Sequence, residues 1–207
     1  MPTFKIPAAI AAATVVLTGA AHAQTAPGDM PAGVYQIDPA HSSVTWRVNH
    51  IGLSKYTARF TDVDARLGYD PEAPENSSLI VTIDPKSVDT DFPFPDQVDF
   101  DQEIAMGEGW LNAGEHPEIK FVATGVERTG ETTGTMTGDL TLLGVTKPVT
   151  LDVTFNGAYE KQPFNQKPAL GFSAKGTVQR SAFGMDTYVP NIGDEVELLI
   201  EAEFNQG

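Results

Sequence analysis

The chain contains no cysteine. That excludes disulfides, thiol nucleophiles and thiolate metal ligands, so stability must come from an apolar core. Basic residues are scarce: 13 Lys and Arg stand against 28 Asp and Glu, for a formal charge of −15. A surface of that sign repels nucleic acid and anionic membrane faces, and the acids read as a solvated coat. Beyond residue 23 no apolar run is long enough to span a membrane as a helix. Past that point histidine occurs only at positions 41, 50 and 116, without the spacing of a helical metal site, and Asp96–Asp101 lacks the EF-hand pattern. No metal or cofactor is expected. There is no Gly-x-Ser-x-Gly elbow. His41 and Ser42 are adjacent, and adjacent strand residues point to opposite faces, so no catalytic residue is assigned and a non-enzyme is expected.

What the chain does have begins with a leader. Lys5 precedes a mostly apolar run over Ile6–Ala21, and Ala21–Ala23 supplies a small-x-small site. This is the pattern of a secretory signal peptide over residues 1–23, cleaved near Ala23. The expected product is a soluble, periplasmic or secreted protein. Residues 24–33, rich in Pro and Gly, read as a short flexible lead-in. A single domain is expected over residues 34–205.

Within that domain, apolar and polar residues alternate with period two. Gly138–Val153 reads GDLTLLGVTKPVTLDV, in which two alternating runs flank a turn placed at Gly144–Pro148. Two half-buried runs joined by a turn make an antiparallel hairpin. Val44, Trp46 and Val48 form another set; Leu79, Val81 and Ile83, then Ile119, Phe121 and Ala123, form two more. In the last run Val196, Leu198, Ile200, Ala202 and Phe204 take one face, while Glu195, Glu197, Leu199, Glu201 and Glu203 take the other. A strand with an acidic outer face cannot lie in a parallel sheet covered on both sides. Arg128–Thr135 reads as a hairpin tip and Asn156–Leu170 as a longer loop. The stretch from about 85 to 118 breaks the pattern; it carries Phe92, Phe94, Phe100 and Trp110, and a short helix is expected within Asp101–Trp110. Many strands with short turns indicate an all-β antiparallel barrel or sandwich.

Seven ordered elements then carry a resemblance: YQIDPAHS from Tyr35, VTWRVNHIG from Val44, Arg59-Phe60, Ser87–Thr90, HPEIKF from His116, the Gly138–Val149 segment, and RSAFGM from Arg180 with IGDEV from Ile192. In order and spacing this is similar to the YceI-like family of exported bacterial proteins, over about residues 34–205. Ala58, Trp110 and Ala182 depart from the family's usual Gly, Phe and Asp. The resemblance implies an eight-stranded antiparallel, lipocalin-like barrel with the 85–118 stretch as an insertion. It implies a long isoprenoid or similar lipid, such as a polyprenyl phosphate or a quinone, in the interior.

On that reading, the cavity wall comprises Val44, Trp46, Val48, Phe60, Trp110, Phe121, Leu140, Leu142, Leu151, Phe155, Phe172 and Ile200. Each of these fits a dry, filled core equally well. Among the polar residues of the motifs, His50 and Arg180 are the head-group candidates; His41, Ser42 and Ser181 read as hydrogen-bonding groups at strand ends. The lead expectation is a lipid-holding carrier, monomer or homodimer. Two others stand beside it: a lipid-acting hydrolase or isomerase using His50, and a stress or structural protein with a filled barrel.

Overall fold

Strand β1 (Gly33–Ile37) pairs with both β4 (Val63–Tyr69) and β11 (Ile192–Gln206), and this double pairing closes the sheet on itself. The computed structural model describes residues 25–207, so the predicted leader lies outside the described residues. Around the ring run β1, β4, β5 (Ser78–Ile83), β7 (Ile119–Arg128), β8 (Thr133–Leu142), β9 (Val145–Tyr159), β10 (Ala169–Gln179) and β11, every pair antiparallel. The expected eight-stranded barrel is the fold.

Three staves of this barrel are broken. β1 and β2 (Ser43–His50) lie end to end along the same edge of β11. β4 continues β3 (Ser54–Phe60), which pairs with β2, and β6 (Val88–Asp89) continues β5 and pairs with β3. The breaks keep their backbone groups satisfied: Asp38 N donates to Glu203 O at 2.8 Å and Thr61 N donates to Ser87 O at 3.0 Å. β5 reaches β7, but among the described residues β6 pairs only with β3. The barrel wall is therefore open between β6 and β7, and the 90–118 excursion fills the gap.

That excursion holds one helix, α1 (Phe100–Met106). Asp99 caps it, its carboxylate accepting from Gln102 N at 3.0 Å, and Asp101 and Glu103 in the first turn complement the helix dipole. It stops at Gly107, where a Cβ would lie 2.6 Å from the Glu103 carbonyl. Seven residues cannot hold a helix alone, so packing must do it. Ile104, Ala105 and Leu111 are buried against Val88, Ile119 and Met185. The Asp101 carboxylate accepts from both Thr90 N (2.8 Å) and Thr90 Oγ1 (2.5 Å), latching α1 to the end of β6.

The β8–β9 turn falls at Leu143–Gly144 rather than at Gly144–Pro148. Both residues have positive φ, 51° and 73°, which a two-residue hairpin turn matched to strand twist requires. β9 thus starts at Val145 and contains Pro148, beyond the ladder with β10, which ends at Asp152. β9 also runs on through Asn156–Tyr159, so the loop expected over 156–170 is confined to 160–168. The lead-in differs from its flexible reading. Met30 is 2% exposed, Tyr35 Oη donates to Pro31 O, and Tyr69 Oη donates to Pro27 O. Residues 25–32 close one end of the barrel, the Tyr35 end; α1 covers the other, the Trp110 end. Among the described residues, no helix is long and apolar enough to cross a membrane.

Candidate ligand cavity

Two compact clusters sit at the barrel ends: Tyr35, Leu67, Tyr69, Leu170 and Phe204 at one, Val88, Ile104, Leu111, Ile119 and Met185 at the other. Between them the inward side chains Phe121, Leu140, Phe155, Phe172, Leu198 and Ile200 are only half-buried. Apolar groups facing the inside of a closed barrel stay accessible only if they face a void. The void is about 880 Å³, in the upper part of the roughly 300–1,000 Å³ range of ligand pockets.

Register explains the wall. On β11, Val196, Leu198, Ile200, Ala202 and Phe204 face in, and β10 sets Val178, Ala174 and Phe172 opposite Val196, Ile200 and Ala202. β2 contributes Val44, Trp46 and Val48, β3 Phe60, β7 Phe121, β8 Leu140 and Leu142, and β9 Leu151 and Phe155; Trp110 reaches in from the excursion. All of the side chains expected in the wall from sequence therefore border the void. At the Tyr35 end, Phe172 makes edge contacts with Phe155 (5.5 Å) and Phe204 (6.2 Å). Gly138 makes room for Phe121, whose ring would be struck at 2.3 Å by any Cβ there.

The wall also includes residues that alternation did not single out. Tyr56, Phe92, Phe100 and Tyr188 border the void at the Trp110 end. Phe92 and Tyr188 sit in irregular segments with no period to read, and Tyr56 faces in only through its register with Val48. A bulge between Ala123 and Gly125 shifts the phase of β7, so Val126 rather than a continuation of the Phe121–Ala123 face lines the Tyr35 end.

Polar groups are few and mostly committed. Arg180, a head-group candidate from sequence, borders the void but is 3% exposed. Its Nε donates to Gly193 O, Nη1 to Met185 O, and Nη2 to both Thr187 O and Ile192 O, at 2.8–3.0 Å. One N–H is left over. The guanidinium organises the 180–193 loop, and burial lowers its pKa, partly offset by Asp194 and Asp186. His50 is exposed on the rim at the Trp110 end, and no carboxylate pairs with it among the described residues. Ser181 Oγ donates to Asp194 Oδ2, and Ser42 Oγ accepts from Glu203 N. Tyr35, pushed up to about 12 by burial and by Tyr69, keeps a neutral phenol. Among the described residues, Trp46 Nε1 has no hydrogen-bond partner.

One further titratable cluster lies outside the cavity, at the β1–β2 break. Asp38, His41 and Glu203 bring one ligand-type atom each within 4.8 Å of one another. Asp38 Oδ2 accepts from Asn205 Nδ2 and meets His41 Nδ1 at 3.1 Å, so these atoms already tie the break to β11.

The chain's relatives agree with this architecture. The model of the YceI-like domain matches residues 35–204. A UPF0312 protein of Pseudomonas fluorescens is 36% identical over 201 residues, 96% of either chain. Among solved structures, BcnA of Burkholderia cenocepacia superposes with a TM-score of 0.70 at 23% identity, over 81% of this chain and 98% of that one. A polyisoprenoid binding domain from Saccharophagus degradans superposes with a TM-score of 0.56 at 12% identity, over 86% of this chain and 100% of that one. The family match spans the whole barrel, and by it the chain belongs to the YceI-like domain family.

Proposed function

We propose that this chain is an exported carrier that holds one long isoprenoid, or a similar amphiphile, in its barrel. The observation that carries this reading is the continuous apolar void of about 880 Å³ bounded by inward faces of every stave. Burying each CH₂ of a tail there is worth ~0.8 kcal/mol, so several isoprene units are held without an ionic contact. A filled structural barrel would leave no such space. The polyisoprenoid binding domain that shares the fold supports the same class of ligand.

The charges favour a neutral head group. Arg180 has one free N–H. Arg128, at the Tyr35 end, gives Nε to Gly130 O and Nη2 to Glu131 O, beside Glu127 and Glu131. A phosphate would meet acids at that end with little free cation to bind it. A quinone-type ring needs neither. The leader read from the sequence supports export.

The test is loading. Delipidated protein is incubated with a polyprenyl benzoquinone or with a polyprenyl phosphate, re-purified, and its lipid quantified by extraction and mass spectrometry. Near-stoichiometric quinone with less phosphate is expected. Failure of both to load overturns the carrier reading; equal loading overturns the neutral head group.

A further inference from the structure

We infer that the Trp110 end of the barrel is a membrane-docking rim, through which the carrier meets a zwitterionic lipid surface. The inference rests on the carrier reading and adds where the lipid is exchanged.

Three segments surround this end: the β2–β3 tip at 51–53, the 92–98 stretch and the 186–191 loop. Each exposes large apolar side chains: Leu53 (82%), Tyr188 (68%), Phe94 (54%) and Ile51 (53%). Ile51 N donates to Asn191 O at 2.7 Å, joining two of the segments. The third connects through a run of rings: Phe94 on Phe92, Phe92 on Phe100, and Phe100 on Tyr56, with centroids 5.3–5.9 Å apart. Phe92, Phe100, Tyr56 and Tyr188 also line the void. Apolar surface is thus continuous from solvent into the cavity, and a cargo that leaves a bilayer for the void crosses only this surface.

Folding does not explain the exposure. Ile51 has φ 47°, a left-handed conformation costly for a β-branched side chain, yet it projects into water. Tyr188 (φ 62°) packs at a tilt against Trp110, ring centroids 6.1 Å apart. A Tyr–Trp pair at an apolar–aqueous boundary is the arrangement that lipid interfaces favour. The opposite end differs: Glu72, Glu127, Arg128 and Glu131 rim it, and Phe164, although 92% exposed, is not part of the cavity wall.

Charge selects the surface. Asp91, Asp96, Asp99 and Asp186 flank the rim, and Lys55 beside it is paired with Glu197. Anionic headgroups are repelled, so the partner is a zwitterionic bilayer.

The experiment is flotation of the protein recovered after export with phosphatidylcholine vesicles, or with vesicles of phosphatidylcholine mixed with phosphatidylglycerol. The wild type is expected to float with the first and less with the second. Leu53→Glu combined with Phe94→Glu, both at exposed positions outside the cavity wall, is expected to cut the bound fraction by roughly tenfold or more, while Phe164→Glu changes nothing. Loading of quinone from detergent micelles is expected to be unchanged in all variants. A wild type that loads from micelles but does not float overturns the docking rim and leaves the carrier reading standing. Equal loss in the Phe164 variant also overturns the rim. A wild type that fails to load from micelles removes the carrier reading and the rim with it.

Discussion

The guanidinium of Arg180 lies over the ring of Trp110, 5.7 Å from its centre. Trp110 belongs to the excursion that covers the gap beside β6, and Arg180 to the loop that leads into β11. The contact couples the cover to the barrel, and four backbone carbonyls hold the cation in place.

Arg180→Met is therefore expected to destabilise the protein by roughly 3 kcal/mol or more, because buried carbonyls lose charge-assisted donors. Arg180→Lys will not restore it, since an ammonium cannot span the four acceptors in one plane. The measurement is urea unfolding; a midpoint within error of wild type for Arg180→Met would refute the structural role.

Asp101→Ala tests the latch. It leaves Thr90 N–H and Oγ1, in a residue only 3% exposed, without their acceptor. A cost of about 1–3 kcal/mol follows. Because the latch holds α1 over the gap, amide exchange across 90–118 and release of bound lipid should both accelerate. Unchanged exchange there would mean that packing of Ile104 and Leu111 alone secures the cover.

How much of this was legible beforehand follows from what period-two alternation encodes. It reports which side chains share a face, so Trp46, Phe121, Leu140, Phe172 and Ile200 could be placed on one wall. It does not report chain breaks: the division of one stave into β1 and β2 turns on distant Glu203, whose carbonyl accepts from Asp38 N and whose N–H donates to Ser42 Oγ. Nor does it report donor saturation. Arg180 stands in a motif as a cation, and only tertiary structure shows its N–H groups turned onto its own loop. Tyr188 and Phe92 entered the wall from irregular segments where no periodicity exists. Whether the wall enclosed lipid space or packed side chains also lay beyond alternation, because both arrangements bury the same face.

The cavity can be filled on purpose. Ala174→Phe and Leu198→Phe place extra carbon in a void rather than in a packed core, so overpacking strain is small. Stability should be unchanged or higher by about 1 kcal/mol, while loading of an isoprenoid falls steeply. Thermal unfolding read beside lipid extraction checks both. A variant that stays folded and loads normally would show that the ligand does not occupy the part of the void lined by β10 and β11.

The β1–β2 break should respond to pH. Hydrogen bonding and charge from Asp38 raise the His41 pKa. Burial alone would raise Asp38, but the hydrogen bonds from His41, Ala40 N and Asn205 outweigh it and hold Asp38 below its usual value. A His raised on folding contributes stability below its unfolded value of about 6.5 and loses that contribution as pH rises through the folded value. Asp38, lowered on folding, contributes above about 3.9 and loses its share as pH falls below that. The break should thus be tightest in mildly acidic solution. Proton NMR of His41 should titrate above the free imidazole, and Asp38→Asn should bring it back; no change on that substitution would dissociate the pair.

The two tryptophans of the chain, Trp46 and Trp110, both border the void. Intrinsic fluorescence is consequently a direct gauge of occupancy. Trp46 lies beside Tyr56 (6.5 Å) with its indole N–H unpartnered, and Trp110 lies between Arg180 and Tyr188 at the rim. An isoprenoid quinone, which quenches indole emission at short range, should quench the wild type with a saturable dependence near one equivalent. If the tail occupies the barrel and the ring stays at the Trp110 end, Trp46→Phe should keep most of the quenching and Trp110→Phe should lose it. The reverse would place the ring in mid-barrel, and equal partial loss would place it between the two. Absence of quenching in the wild type, with quinone loaded by mass spectrometry, would put the ring at the Tyr35 end, away from both indoles.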